Sequence, residues 1–239
     1  MSKLEAIFFD MDGTLLPMDE DLFLKAYMGE LAKVMAPYGV DPKVMVKTMW
    51  AGVGAMVKND GSNTNEEVFW QMFDALTPGA DHAALRPLTA QFYHNEFHKA
   101  RVATKPNSMA AEAVALARQK APVVVLATNP LFPMAAQEAR LSWMGLTPAA
   151  FDKVTAFEQQ RFCKPNPAYY TAICAELGLD PANCLMIGND EGEDMQASQA
   201  AGLQQGYLIT DCLKPARDGY VWQGPRGSFT EMLEYLRQL

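Results

Sequence analysis

The sequence predicts an α/β protein, a mostly parallel sheet whose first strand is followed by an all-helical insertion. Three observations carry this. An apolar run, Ile7-Phe8-Phe9, opens the chain and ends at Asp10. Residues 17–105 then show apolar positions at helical spacing and no convincing strand. From residue 107 onward, helix-periodic stretches alternate with short apolar runs, the pattern of right-handed βαβ units. A single strand cannot remain unpaired, so the first run joins the sheet built by the later ones.

Within 17–105, Leu22-Phe23-Ala26-Tyr27 and Val68-Phe69-Met72-Phe73 mark helix faces. Turn residues collect at Pro37-Tyr38-Gly39, Asn59-Asp60-Gly61 and Thr77-Pro78-Gly79, which divides the stretch into about four helices. Beyond it, a helix near 107–120 leads to a strand from Pro122 to Ala127. One near 131–145 leads to a short strand around Val154. A third, near 167–178, leads to Cys184–Gly188, and a fourth, near 193–202, to Tyr207–Ile209. The chain therefore divides into a core, 1–16 with 106–239, and an inserted helical domain, 17–105.

At 239 residues with 49% hydrophobic and 20% charged residues, the composition is that of a globular protein with a real core. The run Val123–Ala127 is far too short to span a bilayer, and the N-terminus reaches the first acid pair before any secretory apolar segment. A cytoplasmic location is expected, with no membrane partner. The net charge of −8 argues against a nucleic-acid partner, while leaving room for a small, locally positive phosphate pocket. Cys163, Cys174, Cys184 and Cys212 show no metal-binding spacing and are expected to be reduced and structural. Lys164 beside Cys163 is a feature that lowers a thiol pKa, the alternative for that cysteine. A monomer and a homodimer are both compatible with the sequence.

Open α/β sheets bind ligands outside the carboxyl ends of their strands, and four chemically distinctive segments stand there. Asp10 and Asp12, two positions apart beside the Gly13 turn, are costly neighbours unless a cation is shared between them, and a hard divalent ion such as Mg²⁺ suits such oxygens. Thr128-Asn129-Pro130 places a hydroxyl and backbone N–H groups at an expected helix start, an anion site or a simple helix cap. In Lys164-Pro-Asn-Pro167, Asn166 is the expected N-cap and Pro167 the first helical residue, a rigid turn that aims Lys164 at an anion. In Gly188-Asn-Asp-Glu-Gly-Glu-Asp194, Asp190 is nearest the strand end and is the better metal ligand. Asp194 lies one turn on, behind it, against Lys164. Glu191 and Glu193 are read as solvated.

In this order the segments DxDGT, a strand ending in Thr, KPNP and GNDEGED resemble the haloacid dehalogenase superfamily of phosphohydrolases, over nearly the whole chain. The resemblance implies a Rossmann-like core with strand order 5-4-1-2-3 and a helical cap of the C1 type. It implies Asp10 as the nucleophile that becomes an aspartyl-phosphate, and Asp12 as general acid and then base, with a pKa raised relative to Asp10. Thr128, Asn129 and Lys164 would bind the phosphoryl group. Mg²⁺ would be held by Asp10, Asp190 and the backbone carbonyl of Asp12. Asn189 stands where much of the family carries Asp, and it is the alternative to Asp190 as ligand. True haloacid dehalogenases lack an acid at the place of Asp12, so the resemblance implies a phosphatase of small phosphorylated metabolites. A phosphomutase is the near alternative, and a non-catalytic phosphometabolite-binding protein the distant one.

The insertion carries nine Lys and Arg against eleven Asp and Glu, which disfavours a basic lid over a polyanion. Its seven methionines read as core, with a permissive pocket the alternative. Trp50-Ala-Gly52-Val-Gly54 is either a loop over the site or a close helix contact. His94, His98 and Arg101 read as a solvated helix face.

Overall fold

Six strands make one parallel sheet: β1 (Ala6–Phe9), β2 (Val123–Leu126), β3 (Lys153–Val154), β4 (Cys184–Gly188), β5 (Gln205–Ile209) and β6 (Arg226–Gly227). The order across the sheet is β3-β2-β1-β4-β5-β6. The computed structural model describes residues 3–105 and 107–239. Read from β5 inward, the order is the expected 5-4-1-2-3, with β6 added as an unexpected edge. The central strands are apolar at every position and buried on both faces, as a parallel sheet covered by helices requires. Along β1 the side chains alternate: Ile7 and Phe9 enter one core layer, Ala6 and Phe8 the other.

Between β1 and the rest of the sheet lie α1 (Glu20–Met35), α2 (Pro42–Val57), α3 (Asn65–Leu76) and α4 (His82–His94), followed by a 3₁₀ segment over Glu96–Ala103. Their limits follow local chemistry. Asp19 caps α1 through Leu22 N–H, Asp41 precedes Pro42 at the first position of α2, and Thr64 with Glu67 forms a capping box on α3. The three turn clusters fall in the gaps between these helices. Gly39 has φ +87°, a conformation open to glycine, and closes the first gap. The chain enters and leaves the insertion side by side, with Asp19 N–H on Ala103 O (2.9 Å) and Lys105 N–H on Pro17 O (2.8 Å). The expected boundary at residue 106 falls on a residue outside those described, as do Met1 and Ser2.

The core helices are α5 (Ala110–Lys120), α6 (Met134–Trp143), α7 (Ala168–Leu177), α8 (Ala197–Ala200) and α9 (Phe229–Gln238), with a π-helical turn over Glu191–Gln196 leading into α8. Helix α9 is capped by Ser228 and Glu231 and buries Phe229, Met232, Leu233 and Leu236. No element is expected there from the sequence reading. An aromatic cluster ties the insertion to the core. Phe23 and Tyr27 of α1 meet Phe132 before α6 (centroids 6.2 and 5.5 Å), and Phe97 stacks on Trp143 of α6 (5.6 Å). No helix among the described residues is long and apolar enough to cross a membrane.

Candidate active site

Register brings the four segments together. Phe9 pairs with Leu126 on one side and Ile187 on the other, so the chain leaves β1, β2 and β4 at one edge of the sheet. The ladder continues one residue further, Asp10 N–H to Ile187 O (2.9 Å) and Ala127 N–H to Phe9 O (2.7 Å), and fixes the backbone of Asp10 there. A cavity of about 220 Å³ opens over this edge, and Asp10, Asp12, Thr128, Asn129, Asp190 and Asp194 all line it.

Lys164 is buried with its Nζ donating to Asp10 Oδ1 (3.0 Å) and Asp194 Oδ1 (2.6 Å), over the rings of Tyr169 and Tyr170. Burial opposes its charge, but the two carboxylates hold its pKa well above the usual lysine value. It stands behind Asp10 and does not line the cavity. Asp194 takes the N–H groups of Asn189 and Asp190 on its other oxygen (3.0 Å each), so one side chain anchors both the lysine and the fourth segment. Gly188 allows this, because a Cβ there would stand 2.2 Å from Asp194 Oδ2.

Thr128 lines the cavity, and its carbonyl accepts from Thr155 Oγ1 (2.7 Å) and Tyr169 Oη (2.9 Å). The expectation of a helix start at 128–130 is corrected: α6 begins at Met134, whose N–H is held by the Glu158 carboxylate (3.0 and 3.1 Å). Pro130 and Pro133 keep the intervening residues out of the helix. Asn129 Nδ2 donates to Glu193 Oε2 (3.0 Å) and Lys164 O (3.3 Å), so its side-chain donor is turned to the protein and not to a ligand. The cap of α7 also differs slightly: Pro167 is the N-cap, and Asn166 Oδ1 accepts from Ala168 N–H (2.9 Å).

Asn189 is buried and used up structurally. Its Oδ1 accepts from Thr14 Oγ1 (3.0 Å) and its Nδ2 donates to Cys212 O (2.6 Å). Asp190 spends one oxygen on Gly192 and Glu193 N–H (2.8 Å each), capping the π-helical turn. Its second oxygen makes no hydrogen bond among the described residues. Asp10, Asp12 and Asp190 thus bring an oxygen-only set of donors to one cavity. No three His, Cys, Asp or Glu side chains converge as a ready metal cluster among the described residues. Mg²⁺ does not demand one, since it is held by one or two carboxylates and keeps several waters. The donors present fit that ion.

Two basic groups were missed by the sequence reading. Arg140 of α6 is fully buried and pairs with Asp12 Oδ2, is gripped by Gln137, and lies over the Phe132 ring (4.6 Å). Burial raises the pKa of Asp12, Arg140 opposes that, and the nearby Asp10 reinforces it. Asp12 Oδ1 is buried without a partner. Lys214, in the loop after β5, lines the cavity and pairs with Glu20. The signals existed: Arg140 occupies an apolar-face position of a helix, between Ala136 and Trp143, and the end of β5 opens on the same sheet edge as the other strands.

Two expectations of solvated acids are corrected. Glu191 is buried and accepts from Trp222 N–H (3.2 Å), and Glu193 faces the cavity with its pKa pushed up by burial to about 7. Both lie on a turn wound back over the sheet edge. Cys163 is buried with its pKa pushed up to about 12, so it is no reactive thiol. Gly52 makes the close helix contact, against Phe69 of α3, while Trp50 faces the cavity. His94, His98 and Arg101 are exposed and do not line the cavity over the sheet edge.

A family model for haloacid dehalogenase-like hydrolases matches residues 4–202. The chain is 25% identical over 220 residues to the N-acetylmuramic acid 6-phosphate phosphatase of Pseudomonas aeruginosa, covering 92% of this chain and 88% of that protein. It is 24% identical over 224 residues to the plasmid-encoded protein CbbY of Cupriavidus necator, covering 91% and 82%. Among solved structures, the putative HAD-hydrolase YfnB of Bacillus subtilis, bound to magnesium, is similar with a TM-score of 0.61 at 19% identity, covering 99% of this chain and all of that one. The putative β-phosphoglucomutase of Thermotoga maritima is similar with a TM-score of 0.58 at 21% identity, with the same coverage. At these identities the structural likeness speaks for the fold, and the family match spans most of the chain. With its four segments gathered on one sheet edge, this chain belongs to the haloacid dehalogenase-like hydrolases.

Proposed function

We propose that the protein is a Mg²⁺-dependent phosphatase of small phosphate monoesters that works through phosphorylated Asp10. The observation that carries this is the pairing on one cavity of Asp10, held from behind by Lys164, with Asp12, held by Arg140. Family membership and the phosphatase among its relatives support the reading.

Asp10 attacks phosphorus through the carboxylate oxygen not bound to Lys164, and the ester P–O bond breaks. Asp12, on the same cavity, gives its proton to the departing alcohol. Water then attacks the phosphorus of the aspartyl-phosphate, Asp12 takes the proton back, and inorganic phosphate leaves as the Asp10 carboxylate is restored. Thr128 holds a phosphoryl oxygen. Lys164 holds Asp10 in place, and Lys214 adds positive charge on the open side. Asp10, Asp190 and the Asp12 carbonyl would hold Mg²⁺, which would neutralise charge on the transferring group.

Residues 17–105 act as a cap in this reading, since Phe23, Leu24 and Trp50 reach the catalytic cavity from the insertion. The near-isosteric change Asp10→Asn is expected to abolish phosphate release, by at least about 10³-fold, with the melting temperature little changed. The assay is a panel of phosphate monoesters with Mg²⁺ and with EDTA, and with a sugar phosphate plus its bisphosphate to detect isomerisation. Metal-independent release, or undiminished release by the variant, refutes the reading. Isomerisation faster than release makes the enzyme a mutase.

A further inference from the structure

A second cavity, also about 220 Å³, lies between the insertion and the segment leading into α6. It adjoins the catalytic one: Leu24, Trp50, Leu131 and Phe132 line both. Its interior is apolar, with Leu31, Met35, Met49, Val53 and Phe69 contributing. Trp50 is half exposed at the junction, an indole face left open where the two spaces meet.

Position assigns this space to one side of the scissile bond. Asp12 delivers its proton to the departing alcohol, and Asp12 is paired to Arg140, which lies on the Phe132 ring. Phe132 is itself a wall of the apolar cavity. With Leu24, Trp50 and Leu131 it also walls the cavity over Asp10, so the apolar space borders the one from which the alcohol leaves, while phosphate stays over Asp10.

The hydroxyls and most of the charged groups along the cavity are already engaged. Tyr27 and Tyr93 bond each other through their hydroxyls (2.9 Å). Thr89 donates to the carbonyls of Leu85 (3.0 Å) and Arg86 (2.8 Å). Arg86 is tied to Asp74 (2.6 Å) and His82 O (3.2 Å), and Glu158 to Met134 N–H. Glu66, at the outer mouth shared with a shallow surface cleft, and the indole N–H groups of Trp50 and Trp70 have no hydrogen bond among the described residues. A polyhydroxylated group entering here would leave hydroxyls unpaired, which is costly when water is excluded. Glu66 and Glu158 also repel a distal anion.

Resting on the phosphatase reading above, we infer that this cavity receives the leaving group, and that the substrate is the phosphate monoester of an uncharged, apolar alcohol about one ring in size. An engineered dry cavity of about 150 Å³ holds a benzene molecule, so the space suffices. The tyrosine pair retains one hydroxyl hydrogen and the two tryptophans one N–H each, few donors against a wall that is otherwise apolar. N-acetylmuramic acid 6-phosphate, named for one relative, carries more hydroxyls than these can meet, and a carboxylate that Glu66 and Glu158 repel.

The test compares kcat/KM of the full chain with Mg²⁺ for 2-phenylethyl phosphate and n-hexyl phosphate against glucose 6-phosphate and N-acetylmuramic acid 6-phosphate. All four are esters of primary alcohols, so leaving-group acidity does not decide the ranking. The apolar esters are expected to lead by about tenfold or more, the factor a buried apolar group carries. Ala90→Phe adds bulk from an exposed position of α4 on the cavity wall. It is expected to raise KM for 2-phenylethyl phosphate at least about tenfold more than KM for methyl phosphate. A sugar phosphate in the lead, or equal effects of Ala90→Phe on both esters, overturns the inference and leaves the phosphatase reading standing. Absence of Mg²⁺-dependent release from every ester by folded protein overturns both.

Discussion

Arg140 illustrates how one buried side chain sets the chemistry of another. Its guanidinium has no solvent, and among the carboxylates of the described residues Asp12 alone answers its charge. Such a pair is held for placement more than for stability, since both groups lose hydration. Burial alone would leave Asp12 a strong base and a weak acid at neutral pH, and Arg140 moderates that. Removing the positive charge in Arg140→Gln must raise the Asp12 pKa further. The limb of the kcat–pH profile that reports Asp12 as base is then expected to move to higher pH. At pH 7 kcat should fall by about tenfold, a part of the about 10²–10⁴ that a general acid–base contributes. Arg140→Lys, which keeps the charge, should hold the limb near its original place. Identical profiles for wild type and Arg140→Gln would reduce Arg140 to packing.

Among the elements, the π-helical turn over Glu191–Gln196 does the most positioning. Asp190 caps it, Asp194 grips its start from within, and Asn189 is locked between Thr14 and Cys212. These bonds divide the labour of two adjacent residues that sequence alone left as alternatives. Asn189→Asp replaces a buried donor by a carboxylate facing the Cys212 carbonyl. It is expected to cost about 1–3 kcal/mol of stability, read as a melting temperature lower by about 2–4 °C for each kcal/mol. Asp190→Asn keeps the capping oxygen and loses a ligand charge. Its expected effect is a Mg²⁺ requirement raised about tenfold or more, with stability nearly unchanged. Metal titrations and thermal melts of the two variants check this together, and reversed results would exchange their roles.

The whole molecule was legible in the sequence where local chemistry decides. Turn clusters mark the gaps between α1, α2, α3 and α4, and all-apolar runs mark the buried strands. The residues of the four segments meet because strand ends share one edge. What stayed hidden depends on distant partners. Glu191 is buried through Trp222, Glu193 is held by Asn129, and Arg140 is buried against an acid 128 positions away. Strand β6, two residues long, has no period to read. The joint between insertion and core is also non-local, and Phe97 is its keystone. Fully buried, it touches the rings of Phe23, Tyr27, Phe92 and Tyr93 in the insertion and of Phe132 and Trp143 in the core. Because this apolar cluster continues into the sheet layer of Ile7 and Phe9, insertion and core should unfold in one calorimetric transition. Phe97→Ala is expected to remove about 3–5 kcal/mol, through lost transfer energy and the cavity left behind. It should also loosen the wall that carries Phe132, raising KM before it lowers kcat. Two resolved transitions in the unmutated chain would mean that the insertion stands on its own packing, and that the seam at Phe97 joins two separately stable bodies.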